Sequence, residues 1–158
     1  GSGLVGSEMC IRDSLHPGAK IRPENIVYLG LRDIDPPELT IMKDLGIRFY
    51  TYPEICKKGL ASCLSEAVQY LSRLNYFHLS FDIDSMDPAL MPGVSVPVKS
   101  GFTEEEVYEM MGTLMKELPI VSYDIVEFNQ EFDRDNRTAD FVSELVDFIT
   151  NAERKEAF

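Results

Sequence analysis

Residues 76–93 read "YFHLSFDIDSMDPALMPG". The first eight, YFHLSFDI, are strand-forming, yet the run ends in Asp82, Asp84 and Asp87, with Pro88 directly behind. A buried strand avoids ionised carboxylates, because a charge taken out of water must be paired or bound to a metal. The acids therefore ask for a cation.

Working outward from this strand, a regular alternation appears. NIVYLGL (25–31) is a short apolar strand, and PPELTIMKDLG (36–46) a helix ending at Gly46. IRFYTY (47–52) is β-branched and aromatic, hence a strand. Pro53 opens a longer helix through Leu74, with Gly59 as an alternative starting point. Beyond the strand at 76–83 lies a Pro- and Gly-rich loop over 88–101. TEEEVYEMMGTLMKEL (103–118) follows, with Thr103 and Glu106 spaced as a capping box. IVSYDIV (120–126) is another strand, and 137–153 an amphipathic helix with Phe141, Leu145 and Phe148 on one face. Strands alternating with helices of this length define βα units and a parallel sheet. The near-continuously apolar strands point to helices on both faces. The expected class is α/β, a three-layer α-β-α arrangement around a mainly parallel sheet.

Composition narrows the function classes. Fifteen basic against 27 acidic residues give the 158-residue chain a net charge of −12. Such a surface repels nucleic acid and anionic membranes, so neither is expected as a partner. No apolar run approaches the roughly 18–20 residues that span a bilayer. Cys10, Cys56 and Cys63 form neither a disulfide framework nor a CxxC pair, which fits a reducing cytosol and a cytoplasmic protein. The leading GSGLVGSEMCIRDS (1–14) has no steady hydrophobic period and resembles a translated sequencing-adapter scar; a disordered tail is the alternative. It is set aside from fold reasoning, leaving 15–158 as part of a single domain.

In an open parallel sheet, ligands gather beyond the carboxyl ends of the strands. After 25–31 come Asp33, Asp35 and Glu38; at the end of 76–83 come Asp82 and Asp84; after 120–126 comes Glu127. Strand 47–52 has only Glu54 at its end. Such a rim suits a metal, a guanidinium or an amine. Asp82 and Asp84 stand two apart on extended chain, so both should point to one side. Two carboxylates so close repel unless a divalent cation or a shared proton intervenes, and their oxygens suit Mg or Mn. The plainer reading is that one aspartate caps a turn while the other is solvated. An EF-hand starting at Asp82 fails, because Met86 and Gly93 stand where the loop needs an acid or amide and a glutamate. A haloacid-dehalogenase reading fails as well, with Met86 in place of Thr or Val and no obvious lysine-bearing loop.

From about Glu24 to Ile149 the chain resembles arginase, of the binuclear-manganese ureohydrolases. HLSFDIDSMDP is similar to that family's S-F-D-x-D-x-x-D-P strand end. ENIVYLGLRDIDPPE resembles its G-L-R-D-x-D-P-x-E segment, and YDIVEFNQEFDRDNRTA its late E-x-N-P strand end. The resemblance implies that Asp82 and Asp84 bind manganese, two ions per active site in the complete protein. It implies that Glu127 holds the substrate guanidinium, and that Asp35 and Glu38 sense an α-amino group through water. Agmatine lacks that group, so L-arginine is favoured as the small-molecule substrate over agmatinase or formiminoglutamase chemistry. The implied reaction is hydrolysis of L-arginine to L-ornithine and urea by a manganese-activated hydroxide. A non-catalytic α/β binding module is the reading from a different class.

The departures are specific. Val96 stands for the threonine of the family's G-T-P loop, and Gln130 for the proline of E-x-N-P. Glu105 stands where many arginases have a trimer-interface arginine, although the resemblance implies a homo-oligomer, trimer or hexamer. The family's other ligands, a histidine after two glycines and a D-x-H-x-D strand end, have no counterpart. His78 is expected as a packed core residue, and His16 lies in a loop. The chain thus reads as the C-terminal half of an arginase, with too few ligands to act alone and an apolar sheet edge left unpaired.

Overall fold

In the computed structural model residues 21–156 are described, the last five through their backbone alone. The leading fourteen residues and His16 lie outside the described residues. The strands are Val27–Leu31 (β1), Arg48–Thr51 (β2), Phe77–Asp82 (β3) and Ile120–Val126 (β4). The helices are Pro36–Asp44 (α1), Tyr52–Lys58 (α2), Leu60–Leu71 (α3), Glu104–Glu117 (α4) and Arg137–Glu156 (α5). Two 3₁₀ turns, Pro23–Asn25 and Ile83–Ser85, flank the first and third strands. The α/β class and the element order are as the sequence implies. The sheet is present as two strand pairs, β1 with β2 and β3 with β4.

The chain divides into two compact units. One holds the described residues up to Tyr28 together with Asp33–Phe49, and so contains α1. Helix α1 starts at Asp35, whose side chain and that of Glu38 form a reciprocal capping box, with Pro36 and Pro37 in the first turn. These prolines lose nothing there, because the first N–H groups of a helix have no intrahelical partner. The helix stops at Leu45, and Gly46 turns the chain at φ 70° into β2.

The other unit holds Leu29–Arg32 and everything from Tyr50 onward. The long helix expected from Pro53 is instead two. Gly59, at φ 91° and ψ 136°, breaks it into α2 and α3, a conformation only glycine adopts readily. Helix α3 buries Leu60, Cys63, Leu64, Ala67 and Leu71 along one stripe, and packs on α4. Helix α4 buries Val107, Met110, Met111, Leu114 and Met115, and packs on α5. Each such fully buried side chain contributes about 1.5–3 kcal/mol relative to exposure. The Thr103–Glu106 capping box is formed, with Thr103 N–H donating to Glu106 Oε2 at 2.9 Å. On α5 the buried stripe is Phe141, Leu145 and Ile149. Phe148, expected on that stripe, is 36% exposed and lies edge-on to Tyr108.

β3 and β4 run parallel, with His78 opposite Ser122, Ser80 opposite Asp124 and Asp82 opposite Val126. An irregularity between Phe77 and His78 leaves Val121 unpaired and exposed. Exposure then alternates: Phe81 is buried and Leu79, Tyr123 and Ile125 are half-buried, while His78, Ser80, Ser122, Asp124 and Val126 face water. One face of the pair is therefore open among the described residues, rather than both being covered. His78 is not a core histidine. Its Nδ1 lies 2.9 Å from Ser122 Oγ and its Nε2 3.1 Å from Asp124 Oδ2, a cross-strand polar network on the open face.

Candidate functional site

The end of β3 is where the acids meet. Asp82 closes the strand, but Asp84 does not continue it: it sits in the 3₁₀ turn, and its N–H donates to Asp82 Oδ1 at 3.0 Å. The extended-chain premise for Asp82 and Asp84 is thus corrected. A tight turn brings them together, with Asp82 capping that turn. Asp82 is half-buried, and its carboxyl is pushed up to about 7, first by desolvation and then by the charge of Asp84, with Glu127 adding to the push. A carboxylate surrounded by carboxylates and short of water is a site that a cation would relieve.

Glu127 follows β4, one residue beyond the partner of Asp82. Its φ is 62°, in the left-handed region that non-glycine residues rarely occupy. The segment behind it is tied down. Asn129 N–H donates to Gly93 O at 2.8 Å, Asn129 Nδ2 donates to Ser95 Oγ at 2.9 Å, and Val94 bridges Phe128 antiparallel. Non-glycine φ values of this kind cost about 1–3 kcal/mol and persist where the surroundings over-determine them. Gly93 is itself enclosed: its N–H donates to Thr138 Oγ1 at 2.9 Å, and Thr138 is fully buried.

Asp82, Asp84 and Glu127 thus share one rim. Asp35 and Glu38 lie in the other compact unit, where they close the α1 capping box. Val96 is exposed, next in the chain to Asn129's partner Ser95, and Glu105 is exposed on the first turn of α4. Arg32 is the residue that sequence reasoning missed. Its guanidinium donates to the backbone carbonyl of Asp84, to Met86 O at 3.3 Å and to Val98 O at 3.1 Å. The signal was an arginine amid acids in "LRDID", ambiguous between a surface ion pair and a backbone tie.

The donor chemistry fits a hard divalent cation in part. Asp82 and Asp84 offer carboxylate oxygens, and next to them Ser85 Oγ is a buried polar atom without a hydrogen-bond partner. Among the described residues no group of three or more His, Cys, Asp or Glu side chains could hold a metal ion, so the pair supplies only part of a coordination shell.

A parallel strand pair thus brings Asp82, Asp84 and Glu127 to one rim inside an α/β fold. A family model described as "Arginase family" matches residues 9–150, and the chain belongs to that family. It is 38% identical over 130 residues to the arginase of Bacillus subtilis (strain 168), a match covering 82% of this chain and 44% of that protein. The solved arginase of Bacillus caldovelox superposes with a TM-score of 0.78 at 34% identity, covering 82% of this chain and 44% of that one. An Entamoeba histolytica arginase solved in complex with L-ornithine gives a TM-score of 0.76 at 28% identity, with the same coverage. The chain spans under half the length of the relatives it matches.

Proposed function

We propose that this chain supplies the carboxylate half of a ureohydrolase site that hydrolyses L-arginine to L-ornithine and urea. The observation behind the reading is the gathering of Asp82, Asp84 and Glu127 at the ends of two adjacent parallel strands. Family membership and the L-ornithine complex of a related arginase support the choice of substrate.

Asp82 and Asp84 would hold manganese, with the remaining ligands coming from outside the described residues. A metal pair bound there would lower the pKa of a bound water and so make hydroxide available near neutral pH. Glu127 would hold the guanidinium, because carboxylate and guanidinium form a planar, bidentate, charge-assisted pair. The ties of Phe128 and Asn129 to the loop at 93–95 would help set the backbone that carries the Glu127 carboxylate. Asp35 and Glu38 would read the α-amino group, beyond their capping role. A cytosolic homo-oligomer completes the proposal.

The test uses the longer gene product that includes the coding sequence upstream of this chain. With Mn²⁺ it should release urea from L-arginine far faster than from agmatine. Glu127→Gln should abolish most turnover, and Asp84→Asn should lower manganese content by elemental analysis. Unchanged manganese in Asp84→Asn, or a preference for agmatine, would overturn the reading.

A further inference from the structure

The backbone carbonyls of residues 84–86 are claimed from two sides. Arg32 donates to the carbonyls of Asp84 and Met86. The carbonyl between them, Ser85 O, accepts from Phe102 N–H at 3.1 Å, and Asp87 N–H returns to Phe102 O at 3.1 Å. Met86 and Phe102 form a parallel bridge. The guanidinium thus takes the carbonyls of Asp84, in the middle of the 3₁₀ turn, and of Met86 at its exit, and the Phe102 N–H takes that of Ser85 between them. A third bond, to Val98 O, ties in the loop that leads to Phe102. Gly101 makes the space: a Cβ there would overlap Arg32 Nη1 and approach the Met86 carbonyl carbon and oxygen to 2.5 and 2.6 Å. Arg32 is half-buried; burial works against its charge, and the carboxylates of Asp84 and Asp87 favour it.

We propose that Arg32 is a positioning residue: its guanidinium ties the turn that carries Asp84 to the 98–101 loop, and so fixes where that turn presents the Asp84 carboxylate. Its consequence for metal binding rests on the function proposed above; the backbone tie does not. A planar guanidinium with five donors can serve three carbonyls at once, whereas an ammonium is a point donor on a flexible stem.

Amide hydrogen exchange on the 158-residue chain tests the tie without metal or turnover. In Arg32→Met the amides of Asp84, Asp87 and Phe102 should exchange about tenfold faster, the scale of lost hydrogen bonds to a charged group. Buried amides of α3, such as Leu64 and Ala67, should stay within about twofold. Arg32→Lys should recover less than half of the lost protection. Gly101→Ala, which keeps the guanidinium but crowds it, should accelerate the same three amides. Unchanged exchange at these amides, equal acceleration through α3, or full rescue by lysine would overturn the assignment. In the longer gene product, Arg32→Met should weaken Mn²⁺ binding about tenfold or more, read from the free-ion EPR signal. Unchanged affinity beside faster exchange would reduce Arg32 to local packing and overturn its positioning role. If the wild-type protein bound no Mn²⁺, the proposed function would fail instead, and exchange would still decide Arg32.

Discussion

Asp82→Asn in the metal-free chain should raise stability at pH 8 and leave it little changed at pH 4. The folded-state carboxyl is raised from 3.8 to about 7, chiefly by burial and then by Asp84. Between those values the native state keeps a proton that the unfolded chain has lost, so wild-type stability falls as pH rises through that window. Above the folded value the loss is complete. Three units at about 1.36 kcal/mol each would give about 4 kcal/mol. Asp82 is only half-buried, and solvent screening reduces the expected effect to about 1–2 kcal/mol. Asparagine keeps an Oδ1 that can accept the Asp84 N–H, so the turn's cap survives. The assay is thermal unfolding in EDTA at pH 4 to 8, where the variant's Tm at pH 8 should exceed wild type by about 2–8 °C. A variant less stable than wild type at pH 8, or a gap that does not change with pH, would refute the reasoning.

Gly30→Ala should destabilise by about 2–4 kcal/mol in urea titration: Gly30 sits at φ 84°, and a Cβ there would overlap the ring of the fully buried Phe102. Asp133→Ala should cost about 1 kcal/mol by removing a cap from α5, since the Asp133 carboxylate accepts from Thr138 N–H and Ala139 N–H, both at 3.0 Å. Against the upward pull of burial, these donors hold its carboxyl below 3.8, so the stabilisation is complete above that pH. The Tm difference should shrink as pH falls through the lowered value. In the longer gene product, Asp35→Asn with Glu38→Gln preserves the capping acceptors while removing both charges, and should raise KM for L-arginine but not for agmatine. Unmoved arginine kinetics would confine this pair to capping.

Local chemistry was legible in the sequence wherever it decided the structure. Thr103 with Glu106, the strand at 120–126 and the βα alternation needed only neighbouring residues to be read. The meeting of Asp82, Asp84 and Glu127 was legible too, because adjacent parallel strands deliver their ends to one side, whereas Asp33, Asp35 and Glu38 fall in the other compact unit. Non-local facts were not. The fate of His78 depends on β3 register, which sets it against Ser122 and beside Asp124, and a single strand's pattern contains no register. The Asp82–Asp84 pair looked like extended chain because D-x-D is compatible with both a strand and a 3₁₀ turn. The break at Gly59 was ambiguous, since the residues on both sides are good helix formers and only the φ of 91° separates them. Arg32 was hidden because its partners are backbone carbonyls, which every residue possesses.

Position 127 places two selective pressures in opposition. At φ 62° the backbone there suits glycine best and asparagine tolerably. Either residue would relax the chain by a fraction of the strain, and either would delete the carboxylate. A library at this position sorted only for folding should therefore drift away from glutamate. One sorted for turnover in the longer protein should hold it against that drift, so the divergence between the two sorts would measure what chemistry demands of a backbone that would fold more easily without it.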